Sequence, residues 1–146
     1  METVQIVKIN LVRESGINLV YGRSITSPED AERIFREYIG DSDREVVAAI
    51  TLDNRNNVTS ISTVSIGDTR SSIFHPREVF KTAILSNASG IILGHNHPSG
   101  ECKPSPEDIV ATARAKEAGK ILGIEVMDHI ILGHNRFTSM KKESLM

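Results

Sequence analysis

Ile91-Ile92-Leu93-Gly94-His95-Asn96-His97-Pro98-Ser99-Gly100, with Pro104-Ser105-Pro106-Glu107-Asp108 close behind, is the stretch on which the reading of this chain turns. The three aliphatic residues read as a short buried strand, and the Pro/Gly/Ser-rich segment from Pro98 to Pro104 as a loop. Ser105-Pro106-Glu107-Asp108 is helix-start grammar, with a capping hydroxyl, proline in the first turn and a carboxylate three residues after the cap. A strand that hands over to a helix through a loop implies a sheet with helices packed on it.

The same stretch holds a candidate metal site. Side chains at i and i+2 of a strand share a face, so His95 and His97 point the same way. Asp108 follows His97 by eleven residues, and a helix N-terminus favours its ionised form. Two imidazoles and a carboxylate suit a borderline-soft cation such as zinc, with the fourth position left open for water. That arrangement points to hydrolysis rather than to structural support. The plainer alternatives are two polar residues at a loop mouth and an ordinary helix cap. Ser27-Pro28-Glu29-Asp30 supplies an internal control, because the same four letters recur there with no histidine pair before them.

Outward from this centre, Ser105 opens a helix that ends near Gly119 or Gly123, and Ile124 to Leu132 alternates as a strand. Gly133-His134-Asn135 turns into a short closing strand over residues 136–140, and residues 141–146 read as a frayed tail. Upstream, His75-Pro76 starts a helix through Leu85. Glu45 to Leu52 is almost wholly apolar, as a central strand is. Asp53 to Asn57 is turn chemistry, and Val58 to Ile66 is the partner of a hairpin. Ser27-Pro28 opens a helix with Ala31, Ile34, Phe35 and Tyr38 on one face and Gly40 as its stop. Val4 to Leu11 and Ile17 to Tyr21 read as two neighbouring strands.

Composition narrows the function classes. With 146 residues the chain reads as one domain, its core over about residues 25–140. Seventeen basic and nineteen acidic residues give a formal charge of -2, which speaks against a strongly electrostatic nucleic-acid binder and leaves nucleic-acid contact open. A single cysteine, Cys102, excludes a disulfide framework and a Cys-rich zinc cluster, and fits a reducing cytoplasm. No stretch has the apolar length of a membrane span, and the start Met1-Glu2-Thr3-Val4-Gln5 lacks the pattern of a secretory signal.

Taken together, His95, His97, Ser105 and Asp108 reproduce the His-x-His-x7-Ser-x2-Asp spacing of the JAMM (MPN+) metallohydrolase family, which the chain resembles. More narrowly, Asp43-Arg44-Glu45, Val64-Ser65-Ile66-Gly67, His75-Pro76-Arg77-Glu78-Val79-Phe80, Gly94 to Gly100 and Leu122 to His129 resemble its bacterial RadC-like branch. The resemblance implies an α/β fold: a JAB/MPN domain with a curved mixed β-sheet sandwiched by helices, similar to the cytidine-deaminase-like architecture. It implies that His95, His97 and Asp108 bind Zn²⁺ with water as fourth ligand. It also implies that Glu45 is the general acid/base and that the Ser105 side chain helps hold a developing oxyanion. By pattern alone Glu45 reads first as a solvated strand end and second as a functional group at the sheet's mouth.

The activity so implied is zinc-dependent hydrolysis of an amide or isopeptide bond in a peptide or small-protein substrate. The competing reading is a non-catalytic accessory protein of DNA repair or mobile elements. Longer RadC-like proteins carry a helical segment ahead of this domain, and only about forty residues precede Glu45 here, so no DNA binding is carried over from it. Cys102 lies between His97 and Asp108 in sequence, where a thiolate would fill the open metal position or the residue is an ordinary loop cysteine. His75 reads as a helix cap, His129 as a buried core histidine or an orienting partner of a ligand, and Asp128 as exposed. His134 falls in a turn. Arg44, Arg77 and Lys81 read as solvated charges. Contiguous His95-Asn96-His97 is not an HNH nuclease motif, and one cysteine cannot supply a deaminase zinc site. A homodimer is compatible with the sequence and nothing in it requires one.

Overall fold

A computed structural model describes residues 1–67 and 74–146. The apolar run Glu45–Leu52 (β1) and the alternating Val58–Gly67 (β2) form an antiparallel hairpin around the Asp53–Asn57 turn. Asp53 closes that turn by accepting from the backbone N–H groups of Arg55 and Asn57. Gly90–Asn96 (β3) lies antiparallel to β1 on its other side, Glu125–Leu132 (β4) runs parallel to β3, and Phe137–Ser139 (β5) closes the far edge. The result is a mixed five-stranded sheet in the order β2-β1-β3-β4-β5.

Among the described residues three helices cover it on two sides: α1 (Pro28–Ile39), α2 (Pro76–Leu85) and α3 (Pro106–Leu122). Strand alternation decides which side chains meet which helix. Ala48, Ile50, Leu52, Ile92, Ile130 and Leu132 pack with Ala31, Ile34, Phe35 and Ile39 of α1. Val47, Ala49, Ile91 and Leu93 face the other way, onto Val79, Phe80 and Ala83 of α2 and Ala111 and Ala115 of α3. The α/β architecture expected from the sequence is therefore present, with helices on both faces of a mixed sheet. The helix starts match as well: Asp30 accepts from the Ser27 and Thr26 amides, and α3 stops where Gly123 turns left-handed.

Three expectations are corrected. The two strands expected within residues 1–24 do not form: there is only an isolated bridge between Ser24 and Asn57. Val4, Ile6, Val7 and Ile9 stay exposed, while Ile17 and Leu19 lie against the α1-side core. A two-stranded ribbon with no third strand is marginal in water, and the adjacent apolar pair Ile6-Val7 spoils a single buried face. The expected frayed tail is instead folded back: the Glu143 and Leu145 amides donate to the Ser139 and Met140 carbonyls, and Met146 packs on the core.

Asp128, expected to be exposed, is buried. It accepts from Ser139 Oγ at 2.6 Å, its neighbour's amide at 2.7 Å and the Lys141 amide at 3.1 Å. The cause lies in β5 and the C-terminal segment, whose Ser139 hydroxyl and Lys141 amide engage the carboxylate. The β3–β4 register has one irregularity: Ile91 pairs with Val126 and Ile92 with Asp128, so Met127 is an extra residue. From that point the alternation of β4 is shifted by one.

Candidate metal centre

Three elements bring four polar side chains to one point. Glu45 is the first residue of β1, His95 the penultimate residue of β3, His97 lies just beyond that strand, and Asp108 sits in the first turn of α3. One ligand atom from each lies within 4.8 Å of all the others. His95 Nε2 is 3.0 Å from His97 Nε2, 3.5 Å from Asp108 Oδ1 and 3.6 Å from Glu45 Oε1. His97 Nε2 is 3.2 Å from Asp108 Oδ2. Zinc bonds of about 2.0–2.1 Å at tetrahedral angles place neighbouring donors about 3.3 Å apart. The His95–His97 separation and the approach of each ring to one oxygen of Asp108, Oδ1 for His95 and Oδ2 for His97, scatter around that length, so the donor set can close on one small divalent cation.

The side chains are held before any ion arrives. His97 Nδ1 donates to the Glu101 carbonyl at 2.9 Å, which leaves its Nε2 facing the cluster. Asp108 Oδ2 accepts from the Ser105 amide at 2.9 Å, and the Asp108 amide donates back to Ser105 Oγ at 3.1 Å. This is a reciprocal capping box whose carboxylate also faces the histidines. Ser105 is half-buried, and its hydroxyl accepts the cap bond and keeps its proton to donate.

The cluster sits under 10% exposure except at His97, and its charges respond accordingly. Burial pushes the Asp108 carboxyl up, but the His95 and His97 rings beside it and the Ser105 amide more than offset this and hold it well below the usual range. The hydrogen bond to Asp108 raises His97 against the opposing effect of burial. His129, wholly buried and beside His95, is pushed well down and stays neutral.

Of the residues singled out in the sequence, Glu45, His95, His97 and Asp108 lie together in the structure, and Ser105 contacts Asp108 through the capping box. Cys102 does not join the cluster: its backbone and Cβ face Gly133. His75 occupies the N-cap position of α2 but makes no side-chain cap bond. Arg77 and Lys81 are exposed and lie beside Glu78, and Arg44 is exposed.

Asn96 was not singled out and is structurally central. Its Oδ1 accepts from the Val46 amide at 2.8 Å, and its Nδ2 donates to the Arg44 and Ser42 carbonyls. It thereby ties down both backbone neighbours of Glu45. A buried asparagine between two strand-end histidines was the available signal. Thr112 was also missed, although it lies one helical turn after Asp108, on the same face of α3.

With this geometry in view, comparison with known proteins is decisive. Residues 25–145 match the family profile of the RadC-like JAB domain. The chain belongs to that family. It is 51% identical over 122 residues to a UPF0758 protein of Desulforamulus reducens, a match covering 84% of this chain and 54% of that protein. A UPF0758 protein of Moorella thermoacetica is 48% identical over 122 residues, covering 84% and 53%. One from Syntrophomonas wolfei is 45% identical over 133 residues, covering 88% and 57%. The chain thus spans about half the length of the curated relatives it matches. Among the described residues no helix is long and apolar enough to cross a membrane. A RadC-like JAB domain with a Glu/His/His/Asp group able to hold a metal fits a metal-dependent hydrolase.

Proposed function

We propose that the chain is a zinc-dependent hydrolase of amide or isopeptide bonds, acting on a peptide or the extended tail of a small protein in a reducing, cytoplasmic setting. The observation that carries this reading is the convergence of two histidine Nε2 atoms and the Asp108 carboxylate within one zinc-sized triangle, with Glu45 at its edge. His95, His97 and Asp108 would hold the ion. When bound, zinc supplies a Lewis acid that polarises the scissile carbonyl and makes water a competent nucleophile at neutral pH.

The remaining work falls to the protein. Glu45, buried at the head of β1, takes the proton from the attacking water and delivers it to the leaving nitrogen as the C–N bond breaks. Ser105 Oγ, its lone pair engaged by the Asp108 amide, donates its hydroxyl proton to the developing oxyanion.

Elemental mass spectrometry on wild type and His97→Ala, followed by Glu45→Gln against a fluorogenic peptide library, tests the proposal. The expected result is about one zinc per chain in wild type and Glu45→Gln, loss of zinc in His97→Ala, and hydrolysis reduced about 10²–10⁴-fold in Glu45→Gln. Wild-type protein that takes up no zinc on reconstitution overturns it.

A further inference from the structure

Behind the metal cluster lies a buried chain of hydrogen bonds. His95 Nδ1 is 2.7 Å from His129 Nε2. On the far side of that ring, His129 Nδ1 is 2.6 Å from Thr112 Oγ1, and Thr112 Oγ1 is 2.7 Å from the Asp108 carbonyl oxygen. All four residues are buried. We infer that Thr112 and His129 are positioning residues that fix the tautomer of His95, keeping its proton on Nδ1 and its Nε2 lone pair aimed at the metal position.

The proton count decides the direction. The Asp108 carbonyl can only accept, and two oxygens 2.7 Å apart need a proton between them. Thr112 has one hydroxyl proton, and it goes there. The contact between Thr112 and His129 then needs its proton from the imidazole, so His129 carries it on Nδ1. His129 is wholly buried with no carboxylate bonded to its ring among the described residues, so it holds this one proton; its Nε2 is bare and can only accept, and His95 must donate to it from Nδ1. His95 is left with Nε2 unprotonated, facing His97, Asp108 and Glu45. The reverse direction would put two oxygens in contact with no proton between them and a proton on the ligand atom of His95.

The two ligand histidines are thus oriented by different means. His97 donates its Nδ1 proton to a loop carbonyl. His95 donates its own to a second imidazole, anchored in turn to α3. Because Thr112 bonds to Asp108's own carbonyl, one chain of contacts joins two members of the donor triangle from behind. The one-residue shift in β4 makes this arrangement possible: with unbroken alternation from Val126, which faces the α2/α3 side, His129 would point at α1.

The inference rests on the metal reading proposed above, and its test separates the two. Long-range ¹⁵N–¹H spectra of metal-free wild-type protein report the tautomers directly. His95 and His129 are both expected as Nδ1–H tautomers; any other protonation pattern at either ring overturns the inference. Zinc affinity, read by competition with a chromophoric chelator, is expected to fall about 10–100-fold in Thr112→Val and in His129→Phe and to recover in Thr112→Ser. Thermal melts run beside it. Variants that melt earlier yet bind zinc as wild type does would show a purely structural role and overturn the inference. Should either variant fail to fold, the wild-type tautomer measurement still decides. Wild type binding no zinc is failure of the metal reading; wild type and Thr112→Val binding it equally is failure of this inference alone.

Discussion

Gly94 stands between the two sides of the sheet, and substituting alanine there should cost stability through one identifiable collision. A Cβ built on Gly94 falls 2.6 Å from Cδ1, Cδ2 and Cε1 of Phe35, so the phenyl ring lies over the glycine. Ordinary carbon–carbon contact is about 3.5–4.0 Å, and α1 would have to retreat by about 1 Å. Phe35 is wholly buried among Ile34, Ile50, Ile92 and Ile130, which leaves the ring no open side. Overpacking of this kind costs about 1–3 kcal/mol, and the enclosed ring places it at the upper end. Alanine also narrows the unfolded ensemble, an offset of about 0.5–1 kcal/mol. The net expectation is about 2 kcal/mol, or a melting temperature lower by about 6 °C for a chain of this size. Calorimetry on metal-free Gly94→Ala, Phe35→Leu and the double variant measures it. Leucine should vacate part of the space the new methyl needs, so the double variant should exceed the sum of the singles by about 1 kcal/mol or more. A Gly94→Ala melt within about 2 °C of wild type, or strict additivity in the double variant, would show that the ring does not bear on Gly94.

Asn96→Leu removes an acceptor from the Val46 amide and donors from the Arg44 and Ser42 carbonyls. It should lower stability by about 1–3 kcal/mol in a urea titration and depress hydrolysis more than zinc content, since the loosened segment carries Glu45. Cys102→Ser should leave zinc affinity unchanged, because the Cys102 Cβ lies against Gly133 and the residue is not among the gathered ligands; a weakened affinity would restore the cysteine as a ligand. Zinc affinity should fall about tenfold per pH unit below the raised value of His97 and level off above it, as the ion displaces one proton. The sign for metal-free stability is opposite: the His97–Asp108 bond contributes fully below the ordinary histidine value of about 6.5 and fades as pH rises through the raised one. Asp108→Asn should bring the His97 midpoint down, which titration of its ring protons by NMR would reveal.

Much of this molecule is legible from residue order, and the parts that are not share a cause. The helix starts at Ser27 and Ser105 are local devices, written in four consecutive letters. The apolar run from Val46 to Leu52 can only be a strand covered on both sides. The spacing from His95 to Asp108 specifies a cluster because a strand end, a short loop and a first helical turn leave little freedom. Residues 4–21 misled because alternation describes a strand without supplying it a partner. Asp128 misled because its partners, the Ser139 hydroxyl and the Lys141 amide, come from a later strand and the C-terminal segment. His129 is buried as read, but the one-residue shift against β3 that turns it toward α3 is set by pairing across the sheet and leaves no trace in β4 itself. Every face assignment beyond Met127 depends on it.

That shift joins the scaffold to the chemistry. On β3 the residues of one parity, Gly94 and Asn96, fasten the strand, the first under Phe35 and the second to the backbone on either side of Glu45. The residues of the other parity, His95 and His97, are thereby presented to α3. A metal site on one strand would hold two ligands at most. The third comes from the helix cap, and the cap is tied back to the strand through Thr112 and His129. The donor triangle is therefore braced along two routes, by the Ser105 box at the carboxylate of Asp108 and by the threonine at its carbonyl. Loss of the box should move the carboxylate alone, whereas loss of the threonine should release the His95 proton while leaving the helix start intact. Ser105→Ala and Thr112→Val should accordingly differ in kind: only the second should alter the His95 tautomer, and equal ¹⁵N shifts at His95 in both variants would refute that division of labour.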